Sequence, residues 1–347
     1  MWNRFFIFFL FVAMFACKSK EEENIEPQPS EEWEFASPEE LNWNTSKLEE
    51  LKTFLIDQNT KSFMVLVDDK IVVEEYFNGH NQNDTWQWNS AGKVLVTTTI
   101  GIAQQEGLLN INDKVSDYLG TGWTDMPIEK ENLITIKDLL SMTSGIDDTK
   151  QLVIKSNLTY VADAGSRWAY GNVFQKLIDV VTEASNQDFK DYFDEKVSNK
   201  IGMNGFWDYG LIFKIYHSDT RSMAKFGQFA INKGKWKEEQ ILNNDFFNES
   251  VSSSQNMNPS YGYMWWLNGK SSFMTPQSQL VFDGAIVPNA PNDMYAAMGA
   301  SEQRLYLVPS KNMIVIRMGE STSVSESEFA ISEFDNVFWQ KLNEVIN

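Results

Sequence analysis

The sequence predicts an α+β fold in which an antiparallel sheet is flanked by helices from both ends of the chain. Three observations lead there. A helical stripe of Leu48, Leu51 and Leu55 is followed by two β-rich segments, Ser62–Val67 and Lys70–Phe77, joined at Asp68-Asp69 as a hairpin. The middle of the chain then reads as helices and loops. Strand-like segments return at Tyr261–Leu267, Tyr295–Met298, Arg304–Val308 and Met313–Met318, and a closing helix runs over about Glu328–Ile346. A helix followed directly by a hairpin buries both apolar faces when the helix lies on one side of the sheet.

Each element has its own warrant. Ser37-Pro38-Glu39-Glu40 offers a cap, a proline at the first helical position and an acidic first turn. Ser46 and Glu49 have capping-box spacing ahead of the Leu48 stripe. From Ser90 to Gly107 no breaker occurs, and Val94 to Ile102 is apolar or threonine on nearly every face, so this helix is expected to be central and buried. Shorter helical pieces follow at Asp113–Leu119, Thr135–Met142, Val173–Ser185, Asp188–Val197 and Asp219–Asn232. Pro309-Ser310-Lys311-Asn312 is the turn between the last two strands, and the closing helix buries Phe334, Phe338, Leu342 and Val345.

With 347 residues, 42% apolar and 14% aromatic, the chain can build one large domain or two joined ones. A formal net charge of −19 argues against nucleic acid and against charge-driven binding to an anionic membrane. Arg4 precedes the apolar run Phe5–Ala16, too short for a comfortable bilayer span and suited to a signal-peptide core. Cys17, the single cysteine, follows it in a position that resembles the lipidation site of bacterial lipoproteins. Residues 18–32, rich in Glu, Pro and Ser, read as a flexible acidic tether, and the folded domain as residues 33–347. The expected location is outside the cytoplasm, lipid-anchored at the envelope, on the outer membrane or surface.

Ser90 and Lys93 stand three apart at a helix start and therefore share a face. A neutral Lys93 there can take the Ser90 proton, and burial together with the positive helix amino-terminus favours the neutral amine. A capped helix start with a solvated lysine is the plainer alternative. Tyr170 lies in the turn-rich run Gly165–Asn172, just before a helix, a place from which a phenol can project into a cleft. His80 and His217 sit in polar loops, no G-x-S-x-G elbow occurs, and no metal-ligand spacing is present, so neither a metal nor another cofactor is expected.

Taken together, Ser90-Ala91-Gly92-Lys93, the run Ile134–Gly145 and Gly165–Asn172 resemble the serine β-lactamase and penicillin-binding-protein superfamily, closest to its class C branch with the related esterases, D-aminopeptidases and aminohexanoate-oligomer hydrolases. That resemblance implies an α/β lobe (33–78 and 259–347) with an inserted all-helical lobe (79–258). It implies Ser90 as acylating nucleophile and Lys93 and Tyr170 as proton-transfer groups, without choosing between them as base. It places Asn172 on the acyl side chain or Lys93, and the Gln303 N–H beside that of Ser90 in an oxyanion hole. In the third motif the chain departs from the family: Gly299-Ala300-Ser301-Glu302-Gln303-Arg304 has no cation at Ala300 and puts Glu302 where a glycine is usual. Ser301 there is either a hydroxyl that serves substrate or a turn serine. The substrate implied is a small ester, amide or peptide, with penicillin hydrolysis disfavoured unless Arg304 turns inward. A non-catalytic envelope binding or sensor protein on the same scaffold is the rival reading.

Overall fold

The computed structural model describes Met1 and residues 33–210, 212–323 and 331–347. Cys17, the apolar run before it and the tether over 18–32 lie outside the described residues, as does Glu328, the expected start of the closing helix.

The first helix, Thr45–Asp57, is capped by Asn44, whose Oδ1 accepts the Lys47 N–H at 3.1 Å. The expected box at Ser46 and Glu49 does not form, because the chain is already helical at Thr45 and Asn44 is among the best capping residues. Leu48, Leu51 and Leu55 are buried, as the stripe requires.

Six antiparallel strands form the main sheet in the order Lys70–Tyr76, Thr60–Val67, Met313–Gly319, Gln303–Val308, Tyr295–Gly299, Trp266–Leu267. Of the expected Tyr261–Leu267 strand only its last two residues join the ladder, and Tyr261 makes a single bridge to Trp266. Period-2 alternation decides what each strand residue meets. Tyr306 stacks on Phe338 of the closing helix Glu333–Ile346 at 5.8 Å, while its neighbour Leu305 faces Gly227 of the Thr220–Ile231 helix on the opposite side. The first and last helices pack together on that first side, with Phe54 stacked on Phe334 at 5.9 Å.

The segment between the two halves of the sheet carries most of the remaining helices. It is not wholly helical: Trp86–Gln87, Lys214–Ser218 and Gly205–Tyr209 make a small antiparallel sheet. The Lys93–Gln105 helix is buried at every position from Lys93 to Ala103, which is why its sequence shows no polar stripe.

One buried ion pair ties the sheet to the closing helix. Arg304, expected as a possible inward cation, points to the helix-covered face instead, because it alternates in step with Tyr306. Its Nε and Nη2 donate to Asp335 at 2.5 and 3.0 Å, and the Tyr306 hydroxyl donates to the same carboxylate. Removing one member of such a buried pair strands the other without a partner, at a cost of about 3–5 kcal/mol. Asp335→Ala is therefore expected to lose about that much stability in urea denaturation followed by tryptophan fluorescence, and pairing it with Arg304→Met should restore a large part.

Candidate active site

Two turns and one strand end meet at the mouth of a cleft of about 560 Å³ lined by Ser90, Tyr170, Asn172, Ala300 and Ser301 among others. Ser90 sits on a 3-10 turn, Asn89–Gly92, that runs straight into the Lys93–Gln105 helix. That continuity puts Lys93 one turn behind Ser90 on the same face, and its Nζ donates to Ser90 Oγ at 2.7 Å. Lys93 is only 4% exposed. Its amine lies over the rings of Phe174 and Tyr170, 4.4 and 4.7 Å from their centroids, and no carboxylate pairs with it among the described residues. Burial alone lowers its pKa to about 7.

Tyr170 is fixed by an aromatic cage. Its ring stacks on Trp266 at 5.6 Å and meets Tyr261 edge-on at 6.0 Å, while Trp168 packs against both of those residues. Burial pushes its phenol well above the usual range, against smaller downward pulls from Ser90 and Arg304. The hydroxyl faces Ser90 yet completes no hydrogen bond in this resting arrangement. The run Ile134–Gly145 stays outside the cleft and shapes this loop from beneath. Met142 O accepts the Ala169 N–H and Thr143 O the Gly165 N–H, both at 2.8 Å. Gly145 has φ +74°, and a Cβ there would lie 2.0 Å from Ala162 O.

The third motif closes the other wall. Gly299 is pressed against the nucleophile turn: a Cβ would stand 2.5 Å from Trp88 O and 3.1 Å from Ser90 N. The next residue, Ala300, lines the cleft, and its N–H donates to no acceptor among the described residues. Its carbonyl is held by Asn89 Nδ2 at 2.9 Å, and Asn89 itself takes φ +49°. Ser301 and Glu302 both take positive φ, +56° and +48°, in the tight turn that returns the chain to the ladder. Their carbonyls are gripped by Arg317 Nη1 at 2.7 and 3.0 Å, and Arg317 is fully buried.

Several expectations change. Gln303 does not line the cleft. It is already back in the ladder opposite Gly299, fully buried, with its side chain bonded to Ser301 O and Gly319. Ala300, which follows Gly299 at the start of the 300–302 turn, lines the cleft in its place. Asn172 lines the cleft but bonds to Gln151, not to Lys93. Glu302 is turned away from the cleft and accepts the Thr322 N–H at 3.0 Å, so it neither crowds nor repels a ligand there. Ser301 stays at the cleft wall, within 3.1 Å of Ser321 Oγ. Asn89 and Arg317 escaped sequence reasoning, and Gly299 and Ala300 were read only as part of a departed motif. Asn89 and Gly299 were legible in principle, as residue types that tolerate positive φ or close approach beside a catalytic motif.

A Ser-Lys pair at a helix start, a caged tyrosine and a glycine-backed strand end define a β-lactamase-related scaffold. The comparisons agree: residues 55–209 match the Beta-lactamase family. The chain has the fold of a putative β-lactamase from Bacteroides dorei (TM-score 0.69, 14% identity, 88% of this chain and 99% of that one). It also resembles a putative 6-aminohexanoate-dimer hydrolase from Bacillus anthracis (TM-score 0.64, 18% identity, 85% and 80%). An uncharacterized protein of Alkalihalophilus pseudofirmus is 24% identical over 76% of this chain and 84% of its own length. The chain therefore has the fold of β-lactamase-like and penicillin-binding-protein-like structures, with residues 55–209 carrying the match to the Beta-lactamase family.

The packing at Gly299 gives a direct test. Gly299→Ala must push the strand end off Ser90, since the contacted atoms are backbone. Acylation by a fluorophosphonate probe is expected to fall at least about 10²-fold, the size of losing one oxyanion donor, while circular dichroism shows the fold retained.

Proposed function

We propose that the protein is a serine hydrolase that forms an acyl-enzyme at Ser90 with a small ester, amide or peptide. The observation that carries this reading is the 2.7 Å contact between Ser90 Oγ and a Lys93 amine whose pKa is brought down to about 7 by burial. Near neutral pH about half of such amines are uncharged and able to accept a proton. Ser90 Oγ attacks the substrate carbonyl carbon as its proton passes to Lys93. The carbonyl oxygen becomes an oxyanion between the N–H groups of Ser90 and Ala300. Collapse breaks the bond to the leaving group, which receives the proton from Lys93 by way of Tyr170. Water then attacks the acyl carbon as its proton passes to the same groups, and the bond to Ser90 Oγ breaks as that proton returns to Oγ, releasing the acid and free Ser90.

Lys93 is favoured as base over Tyr170 on two grounds. Its amine stands at 2.7 Å from Ser90 Oγ, and the Tyr170 phenol is held far above its usual pKa and so remains protonated at neutral pH. A protonated phenol facing the nucleophile suits proton donation to a leaving group. The rival reading of a non-catalytic binder is weakened by the same cluster, since a scaffold free of turnover has no need of a desolvated amine on Ser90. The resemblance to a putative 6-aminohexanoate-dimer hydrolase supports amide and ester chemistry as the range to search.

We also propose that the domain works outside the cytoplasm, held to the envelope by a lipid on Cys17. Incorporation of a labelled fatty acid by wild type and its absence in Cys17→Ala is the expected result.

The catalytic test uses protein from residue 18 onward. Fluorophosphonate labelling should reach one site and vanish in Ser90→Ala. The acylation rate should rise about tenfold per pH unit below 7 and flatten above it, as the lowered Lys93 pKa dictates: acid protonates the base and removes it. Lys93→Met should lower the rate by about 10²–10⁴-fold and abolish that limb. A pH-independent rate, or unlabelled Ser90 where a control enzyme labels, would count against the assignment.

A further inference from the structure

We infer that the cleft takes acyl substrates that carry no acidic group beside the reacting carbonyl, neutral hydrogen-bonding molecules or ones bearing a positive charge. This rests on the serine hydrolase reading and adds its substrate class. The cleft wall offers amides and hydroxyls, Gln151, Asn172, Gln277, Ser301 and Ser321, and one formally charged side chain, Asp148. Among the described residues no lysine or arginine lines it.

The cations nearby stand outside the lining. Lys93 lies behind Ser90, buried, with burial favouring its neutral form. Arg304 is fully buried on the far side of the sheet against Asp335. Arg317 is likewise buried, with its Nη atoms spent on the carbonyls of Gln58, Ser301, Glu302 and Glu320. Arg167 pairs with Asp148 at 2.8 Å from outside the lining, so the carboxylate at the wall is already ion-paired. A carboxylate entering such a cleft gives up water, gains no counter-charge from the lining, and meets the carboxylate end of the Asp148–Arg167 pair. An amide or a hydroxyl finds partners of its own kind, and an ammonium finds Asp148.

The test is a matched set of nitrophenyl esters with one acyl skeleton, ending in a carboxamide, a carboxylate or an ammonium group, assayed on protein from residue 18 onward. The expected order of kcat/KM is ammonium equal to or above carboxamide, and carboxylate at least about tenfold below it, the effect of one like charge at partly screened range. Raising salt from 20 to 500 mM should shrink that discrimination, since its origin is electrostatic. Asp148→Asn should narrow it several-fold by removing the wall's negative charge and releasing Arg167, with the ammonium ester losing most. If Asp148→Asn does not fold, the wild-type order and its salt dependence decide alone.

A carboxylate ester turned over as fast as the carboxamide, or discrimination indifferent to salt, overturns the inference while leaving the hydrolase reading intact. All three esters inert together with an unlabelled Ser90 overturns both.

Discussion

Everything distinctive in this site depends on taking one amine out of water. A lysine in solvent is a cation three units above neutrality and useless as a base. Here the helix that carries Lys93 is buried along nearly its whole length, so the side chain cannot reach solvent without leaving the core. Aromatic rings, not carboxylates, close over it. Ring faces attract a cation weakly, and a carboxylate would do so strongly enough to restore the charge. The surroundings thus keep Lys93 near the midpoint of its titration, where it can both take and return a proton. The apolar character of Val94–Ile102, which a fold argument treats as packing, is also the chemical setting of the base.

The wall opposite Lys93 is held by backbone geometry under tension. Asn89, Ser301 and Glu302 sit at positive φ, where a residue with a Cβ costs of order 1 kcal/mol or more. Such conformations persist only when their surroundings fix them. Asn89 spans from the nucleophile turn to Ala300 O, while Arg317 grips the two carbonyls behind the turn from a buried position. With those carbonyls turned toward the sheet interior, Ala300 is left at the cleft with its N–H donating to no acceptor among the described residues. Gly299 permits the approach because nothing larger fits against Trp88 O and Ser90 N.

Most of the fold was readable in the chain, and so was the core of the site. The sheet strands, the buried helix after Ser90 and the closing helix follow from hydrophobic period, and Ser90, Lys93 and Tyr170 come together because each is bound to a local element with a clear signal. The readings that failed depend on register and side-chain direction. The length of the 300–302 turn decides that Ala300 faces the cleft and that Gln303, three residues on, is back in the ladder. One step of strand alternation decides whether Arg304 meets substrate or the closing helix. Asn172 was read from its place in a motif, and its bonds to Gln151 arise from a loop whose course no periodic pattern records. Cap choice failed for a similar reason, since Asn44 and Ser46 are both good caps and only the tertiary start of the helix selects between them.

The missing cation in the third motif now has a structural counterpart. The chain keeps two arginines close to that motif, and both are buried on the side of the sheet away from the cleft, where they act on the backbone. Arg304 Nη1 donates to Gly299 O at 2.7 Å as Arg317 donates to Ser301 O, so positive charge still reaches the strand end and turn, but through their carbonyls. Charge placed there orients peptide dipoles that face a developing oxyanion. Charge placed in the cleft would instead bind an anionic substrate before reaction. In the proposed reaction the first would improve transition-state stabilisation without favouring any particular charged ligand, leaving selectivity to the amides, hydroxyls and carboxylate of the wall.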